Sequence, residues 1–217
     1  MLNIGLIGDI KNLEPQVKKI HDHSDTHISG KSSVGTNTNT ESFRFSIPEF
    51  NRLELIERSD ALMINRFSLL PFQLLCNIVK KSKHIFATEY PSVSIEECRE
   101  LAKLADEAQT VFQVNNPIYY TPAIQWLSDN LKKPAYIDIN YFKTNTEEAE
   151  PLLPLLLMLK DITGTEPKKI SAVSFQQSLT DLTFNNVRLE FGNASTVNIN
   201  FGKSNTDEFK IRAWSSG

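Results

Sequence analysis

"GLIGDIKNLEP", residues 5–15, decides how the rest of the chain is read. The apolar run around Leu2, Ile4, Leu6 and Ile7 ends at Gly8, and helical spacing follows through Leu13, Val17 and Ile20. A buried strand that ends in glycine and runs into a helix is how a dinucleotide-binding unit begins. Such a turn normally carries glycines as G-x-G-x-x-G. Here Gly8 holds the first place, while Ile10 and Leu13 stand at the other two.

The alternation continues outward from this stretch. "THISG" (26–30) reads as a short strand and "KSSVGTNTNTES" (31–42) as loop or disorder. "IPEFNRLELIERS" is helical, and "DALMIN" is a β-rich run of the kind that central parallel strands show. "PFQLLCNIVKKS", "HIFAT", the helix "SIEECRELAKLADEAQ" and "TVFQVN" complete the series, with Ser94 and Glu97 spaced as a capping box. Repeated β-α units predict a parallel sheet with helices on both faces over residues 1–120.

Beyond residue 120 the period changes. "AYIDINYF" alternates, "EEAEPLLPLLLMLKDIT" is one apolar helix, and "KKISAVSFQQ", "LTFNNVRLEFG", "STVNINFG" and "EFKIRAW" are strands separated by turn signals. Val187, Leu189 and Phe191 fall on one face, Arg188 and Glu190 on the other. Residues 121–217 are therefore expected to form an α+β domain, a mostly antiparallel open sheet covered on one side by a single helix.

Bulk properties narrow the functions. The chain has 217 residues, 40% of them hydrophobic, which suits one or two domains. A formal charge of −3 offers no basic field for nucleic acid. The longest apolar stretch, "PLLPLLLML" at 151–159, falls well short of the roughly 20 residues that span a bilayer. Cys76 and Cys98 form no C-x-x-C pair and suit a reducing compartment. A soluble, cytoplasmic protein is expected, with no membrane and no nucleic-acid partner.

Several strings, "ELIERSDALMI", "KKSKHIFATEYPSVSIEECRELAKLADEAQTVFQVNN" and "YYTPAIQWL", together with the order of elements, resemble the glucose-fructose oxidoreductase and inositol dehydrogenase family (Gfo/Idh/MocA). That resemblance implies a Rossmann-like domain, a C-terminal sheet domain shorter than is usual in the family, and NAD(P)-dependent oxidoreductase chemistry. At the positions that carry this chemistry the sequence departs from the family pattern. Ile10 and Leu13 replace glycines, and the branched Ile10 side chain is expected to fill the space of a phosphate, so that Ile10→Gly with Leu13→Gly should admit one. After the second strand, where an acid usually binds the ribose, stand Lys31, Ser32 and Ser33. The family's E-K-P motif reads Glu89, Tyr90, Pro91; tyrosine supplies no ammonium at neutral pH. Its threonine-proline reads Arg66, Phe67, and its histidine and aspartate, counted back from Gly164, read Pro154 and Leu157, neither of which exchanges a proton. The implied reading is a family homologue that binds no cofactor and transfers no hydride, with a binding, regulatory or assembly role. The alternative is an active NAD(P)-dependent oxidoreductase acting on a sugar or polyol.

Three further features complete the expectations. Asn115, Asn116, Tyr119 and Tyr120, beside Glu89 and Tyr90, form a candidate pocket for a small sugar-like ligand at a strand end. "HDHSDTH" (21–27) gathers His21, His23, His27, Asp22 and Asp25; it reads as a solvated connector, and no metal site is expected. The uncovered sheet face, rich in Asn, Thr and aromatic residues, and the family's habit of pairing such faces point to a homo-oligomer. Trp126 and Trp214 read as core or interface anchors.

Overall fold

A computed structural model describes residues 1–34, 45–131, 133–144, 151–176 and 182–215. The tail of the polar tract (35–42) and the start of the expected apolar helix (147–150) lie outside them. Backbone contacts divide the chain into two units, Met1–Asn115 and Asn116–Gly217.

The first unit is built on one parallel sheet of five strands: β1 (Leu2–Gly8), β2 (Thr26–Ser33), β3 (Ala61–Ile64), β4 (His84–Ala87) and β5 (Phe112–Val114), in the order β2-β1-β3-β4-β5. Four helices connect them: α1 (Glu14–His21), α2 (Arg52–Arg58), α3 (Phe72–Lys80) and α4 (Ile95–Ala108). Strands buried on both faces need apolar runs rather than alternation. Leu6, Ile7, Leu62 and Ile64 accordingly have no exposed surface. One helical layer packs α3 and α4 residues Leu75, Ile78, Val79 and Leu101 against Ile64 and Ile85, and the other sets Val17 of α1 against Leu6 and Met63. The capping box of α4 forms as the sequence predicts, Ser94 Oγ accepting from the Glu97 amide at 3.2 Å and Glu97 Oε2 from the Ser94 amide at 2.8 Å.

Two features of this sheet differ from the sequence reading. Lys31, Ser32 and Ser33 continue β2 instead of opening a loop, paired with Leu6, Ile7 and Gly8 of β1. On the far side of β2, a single parallel bridge joins Lys31 to Glu49: the Lys31 amide donates to Pro48 O at 2.9 Å and the Phe50 amide to Lys31 O at 2.8 Å. Counting this one-residue strand, the order becomes 3-2-1-4-5-6, that of a dinucleotide-binding sheet.

The second unit contains β6 (Tyr136–Lys143), β7 (Pro167–Gln176), β8 (Thr183–Phe191), β9 (Thr196–Lys203) and β10 (Glu208–Trp214), in the order β10-β6-β9-β8-β7. Only the β6–β9 pair is parallel. Ile137, Ile139, Val187, Leu189, Phe191, Val197, Ile199 and Phe201 form the buried face. Two helices cover it where the sequence suggests one: α6 (Leu152–Thr163) packs Leu155, Met158, Leu159 and Ile162, and α5 (Pro122–Asn130) adds Ile124 and Leu127. The one apolar position of α5 that is fully enclosed is too short a signal to predict that packing. Gly164 ends α6 in the left-handed region, φ 69°, its amide donating to Lys160 O at 2.8 Å. Trp126, read as an anchor, is 63% exposed.

Candidate functional site

In an open parallel sheet, ligands bind beyond the carboxyl ends of the strands where the strand order reverses, here between β1 and β3. Gly8 ends β1 at φ 130°, a conformation that favours glycine. A Cβ at Gly8 would lie 1.8 Å from Asn65 Oδ1, so the Asn65 carboxamide rests directly on the glycine. Asn65 is 4% exposed and clamps the next residue from both sides. Its Oδ1 accepts from the Asp9 amide at 2.7 Å, and its Nδ2 donates to Asp9 O at 3.0 Å.

Ile10 and Leu13 do not fill this hollow. The chain leaves Asp9 through a 3-10 turn, Lys11–Leu13, before α1 begins, and that turn swings both side chains inward. They are 5% and 1% exposed, packed with Leu6, Val17 and Met63. What stands at the turn instead is the carboxylate of Asp9, accepting from Asn12 Nδ2 at 3.0 Å and paired with Arg66 at 3.6 Å. Arg66 itself adopts φ 57°, the left-handed region.

The neighbouring strand ends show the same pattern. At the end of β2, the Ser33 amide donates to Glu49 Oε1 at 2.7 Å, its hydroxyl to Oε2 at 3.1 Å, and the buried ammonium of Lys31 lies 3.7 Å from Oε2. After β3, the amide of Phe67 donates to Glu89 Oε1 at 3.1 Å. Three carboxylates of the chain thus take up donors at the edge where a dinucleotide would present its phosphates and ribose. Among the described residues, no partner lies within hydrogen-bond distance of the buried Tyr90 hydroxyl, and burial pushes its phenol above the usual range.

The remaining candidates are placed as follows. Asn115 belongs to the first unit, its amide donating to Ala87 O at 2.7 Å. Asn116 is buried in the second, where Oδ1 accepts from the Tyr119 amide at 3.0 Å and Nδ2 donates to Pro154 O at 3.3 Å. The Tyr119 hydroxyl donates to Asp161 Oδ2 at 2.6 Å, and Tyr120 meets the Tyr119 ring edge-on. That hydrogen bond, followed by burial and the nearby carboxylate charge, raises the Tyr119 phenol above its ordinary value. Asn116 and Tyr119 therefore tie the entry loop of α5 to α6. Pro154 is buried in the first turn of α6, where its missing amide costs no helical bond, and Leu157 is 45% exposed. Of the histidine-rich stretch, His21 ends α1 and His27 lies in β2; among the described residues no group of three His, Cys, Asp or Glu is placed to hold a metal ion.

Asn65, Asp9, Glu49 and Asp161 escape the sequence reading. The available signals were a polar residue terminating the apolar run of β3, and an acid inside the glycine turn.

No family model and no curated protein matches the chain. Solved structures do. UDP-N-acetylglucosamine 3-dehydrogenase from Acidithiobacillus ferrooxidans superposes with a TM-score of 0.78 at 17% identity, over 99% of this chain and 74% of that one. A dehydrogenase from Clostridium difficile gives 0.75 at 14% identity over 100% and 75%. Biliverdin reductase from Synechocystis, solved with biliverdin and NADP+, gives 0.72 at 15% identity over 99% and 77%. The chain has the two-domain fold of the Gfo/Idh/MocA-type dehydrogenases, an N-terminal Rossmann-like parallel sheet followed by a mixed, mostly antiparallel sheet.

Proposed function

We propose that this protein keeps the dehydrogenase fold without its cofactor chemistry and acts by binding and assembly in the cytoplasm. The observation that carries this reading is the Asn65 carboxamide on Gly8. A pyrophosphate at such a turn is held by free backbone amides, and here the Asp9 amide is taken by the Asn65 carboxamide. The Asp9 carboxylate at the same turn is an anion, paired there with Arg66 at 3.6 Å. The residues present do not fit a dinucleotide.

Assembly rests on the second sheet, whose face away from α5 and α6 is left open by the described residues and carries Phe175, Phe184 and Trp214 at 63%, 41% and 49% exposure. A second copy of the chain is its partner. The Tyr90 hydroxyl, without a hydrogen-bond partner among the described residues, supports a small ligand with an accepting oxygen, such as a sugar or polyol. Two free cysteines, one of them exposed, suit a reducing compartment, and no helix among the described residues is long and apolar enough to cross a membrane.

A second reading, an active NAD(P)-dependent oxidoreductase on a sugar or polyol, draws on the dehydrogenases that share the fold. Titration with NADH and NADPH, followed by ligand fluorescence, separates the two. No binding up to millimolar concentration is expected; micromolar binding overturns the first reading in favour of the second.

A further inference from the structure

β7 is an edge strand of the second sheet, paired with β8 on one side and with no strand on the other among the described residues. Nine of its ten residues are exposed. The pairing register sets Lys169, Ser171, Val173 and Phe175 on the open face, in line with Glu190, Arg188, Asn186 and Phe184 of β8. Ile170 and Ala172 fall on the other face, in line with Leu189 and Val187, which α5 and α6 help to bury. That cover stops short of the edge: Leu189 is 1% exposed and Ile170 beside it 61%. Val173 and Phe175 stand at 67% and 63%. β7 therefore bares apolar side chains on both faces, beside the backbone groups that its outer side leaves without a strand.

Such an edge is a template for another strand, and chains guard against that with charge, proline or bulges. β7 keeps its guards at one end. Pro167, the irregularity between Pro167 and Lys169, and the two lysines all lie at its start. Residues 170–176 carry no charge, no proline and no break in register. At about 3.3 Å per residue they offer roughly 23 Å of unguarded edge.

The lysines indicate what an added strand carries. Lys168 lies with its stem against Gly192 and has no acidic partner among the described residues, and Lys169 reaches Glu190 only at 3.8 Å. A strand running antiparallel to β7, the more stable sense of pairing, brings its last residues beside these two ammonium groups. A second copy of β7 does not answer them. A two-fold axis through Ala172 sets Lys168 beside Gln176 and Lys169 beside Phe175, and one through Ile170 sets them beside Ala172 and Ser171. β7 itself holds no acid.

We propose that the free edge of β7 binds an extended peptide segment of a partner protein as an antiparallel sixth strand. The segment is apolar beside residues 170–175 and acidic at its C-terminal end, beside Lys168 and Lys169. Backbone hydrogen bonds supply affinity, while Ile170, Val173, Phe175 and the two lysines supply selection. The inference goes beyond the assembly reading, because the strand adds in the plane of the sheet and leaves its open face to a second copy.

The test uses the full chain and a fluorescein-labelled synthetic decapeptide, eight alternating valines and threonines followed by two glutamates. Fluorescence anisotropy should show saturable binding, and hydrogen exchange in the complex should slow along β7 while β10, the opposite edge, is unchanged. The same peptide ending in two lysines should bind about tenfold more weakly. Lys168→Glu with Lys169→Glu should reverse that preference while circular dichroism stays that of the parent. Should the double variant fail to fold, Lys168→Gln with Lys169→Gln decides the same point by erasing the preference. Methylating the peptide's backbone nitrogens at one set of alternate residues should abolish binding, and at the other set should leave it, since only one set of amides faces β7. Absence of binding at millimolar peptide, slowed exchange on β10 or on neither edge, or equal binding of the two peptides overturns the inference. So does slowing of β7 exchange with rising protein concentration and no peptide, which gives the edge to a second copy.

Discussion

Replacing Asn65 by alanine should loosen the turn after β1 while leaving the sheet beneath it in place. The side chain makes two hydrogen bonds, at 2.7 and 3.0 Å, to the amide and carbonyl of the same residue, Asp9. Each contributes about 1 kcal/mol net, and each backbone group left unpaired and dry costs about 1–3 kcal/mol. The Asp9 side chain is 23% exposed, so water reaches part of the turn and the sum falls near the low end, about 2–3 kcal/mol. Denaturant unfolding of the full chain reads the global cost. Hydrogen exchange of the Asp9 amide reads the local one, and a loss of about 2 kcal/mol corresponds to roughly thirtyfold faster exchange. An unchanged unfolding midpoint together with unchanged Asp9 exchange would refute the account of a turn closed by the carboxamide.

Other expectations follow from the same geometry. Ile10→Gly with Leu13→Gly should destabilise the chain by several kcal/mol, about 2–5 for each buried side chain removed, and still admit no dinucleotide in fluorescence titration, because neither side chain blocks the turn. Ser94→Ala should cost about 1 kcal/mol in thermal unfolding through loss of the α4 capping box. Asp60 is held below its ordinary value of 3.8 chiefly by the Asn3 amide at 2.9 Å; the stability this adds is present above that pH and lost as pH falls through the lowered value, so Asp60→Asn should flatten the acid arm of a stability profile. Tyr119 is raised above 10.0 by its bond to Asp161; that contribution is complete below pH 10 and disappears as pH rises through the raised value, and ultraviolet titration of Asp161→Asn should find the phenol ionising earlier.

The fold was legible wherever burial imposed a periodicity. Apolar runs such as "DALMIN" announce strands enclosed on both faces, and the alternation of Val187, Leu189 and Phe191 with Arg188 and Glu190 announces a strand enclosed on one. Lys31 to Ser33 were read as loop because no apolar residue marks them, yet β1 on one side and the Glu49 carboxylate on the other hold them extended. The third strand position, reduced to one bridge, leaves no pattern at all. The second helix over the second sheet was hidden for a related reason: α5 encloses Ile124 but turns Trp126 to solvent, so its apolar residues do not report its packing.

The site was legible only as a set of departures, and the structure places other residues beside them at the turn. A glycine turn is a local motif, so the sequence shows at once that Ile10 and Leu13 replace glycines, and steric exclusion by those two side chains is the natural conclusion. Whether a side chain reaches the hollow depends on the path of the backbone after Gly8, and the 3-10 turn takes both inward. The residue that rests on Gly8 is Asn65, far along the chain and brought there because β1 and β3 are neighbours in the sheet. Glu49 reaches the end of β2 by the same kind of long-range placement, through the bridge at Lys31. What lies against a glycine turn in a parallel sheet is therefore better sought at the ends of the neighbouring strands than inside the motif, since residues of the motif can turn into the core while its first glycine, as here, is met by a side chain from the end of β3.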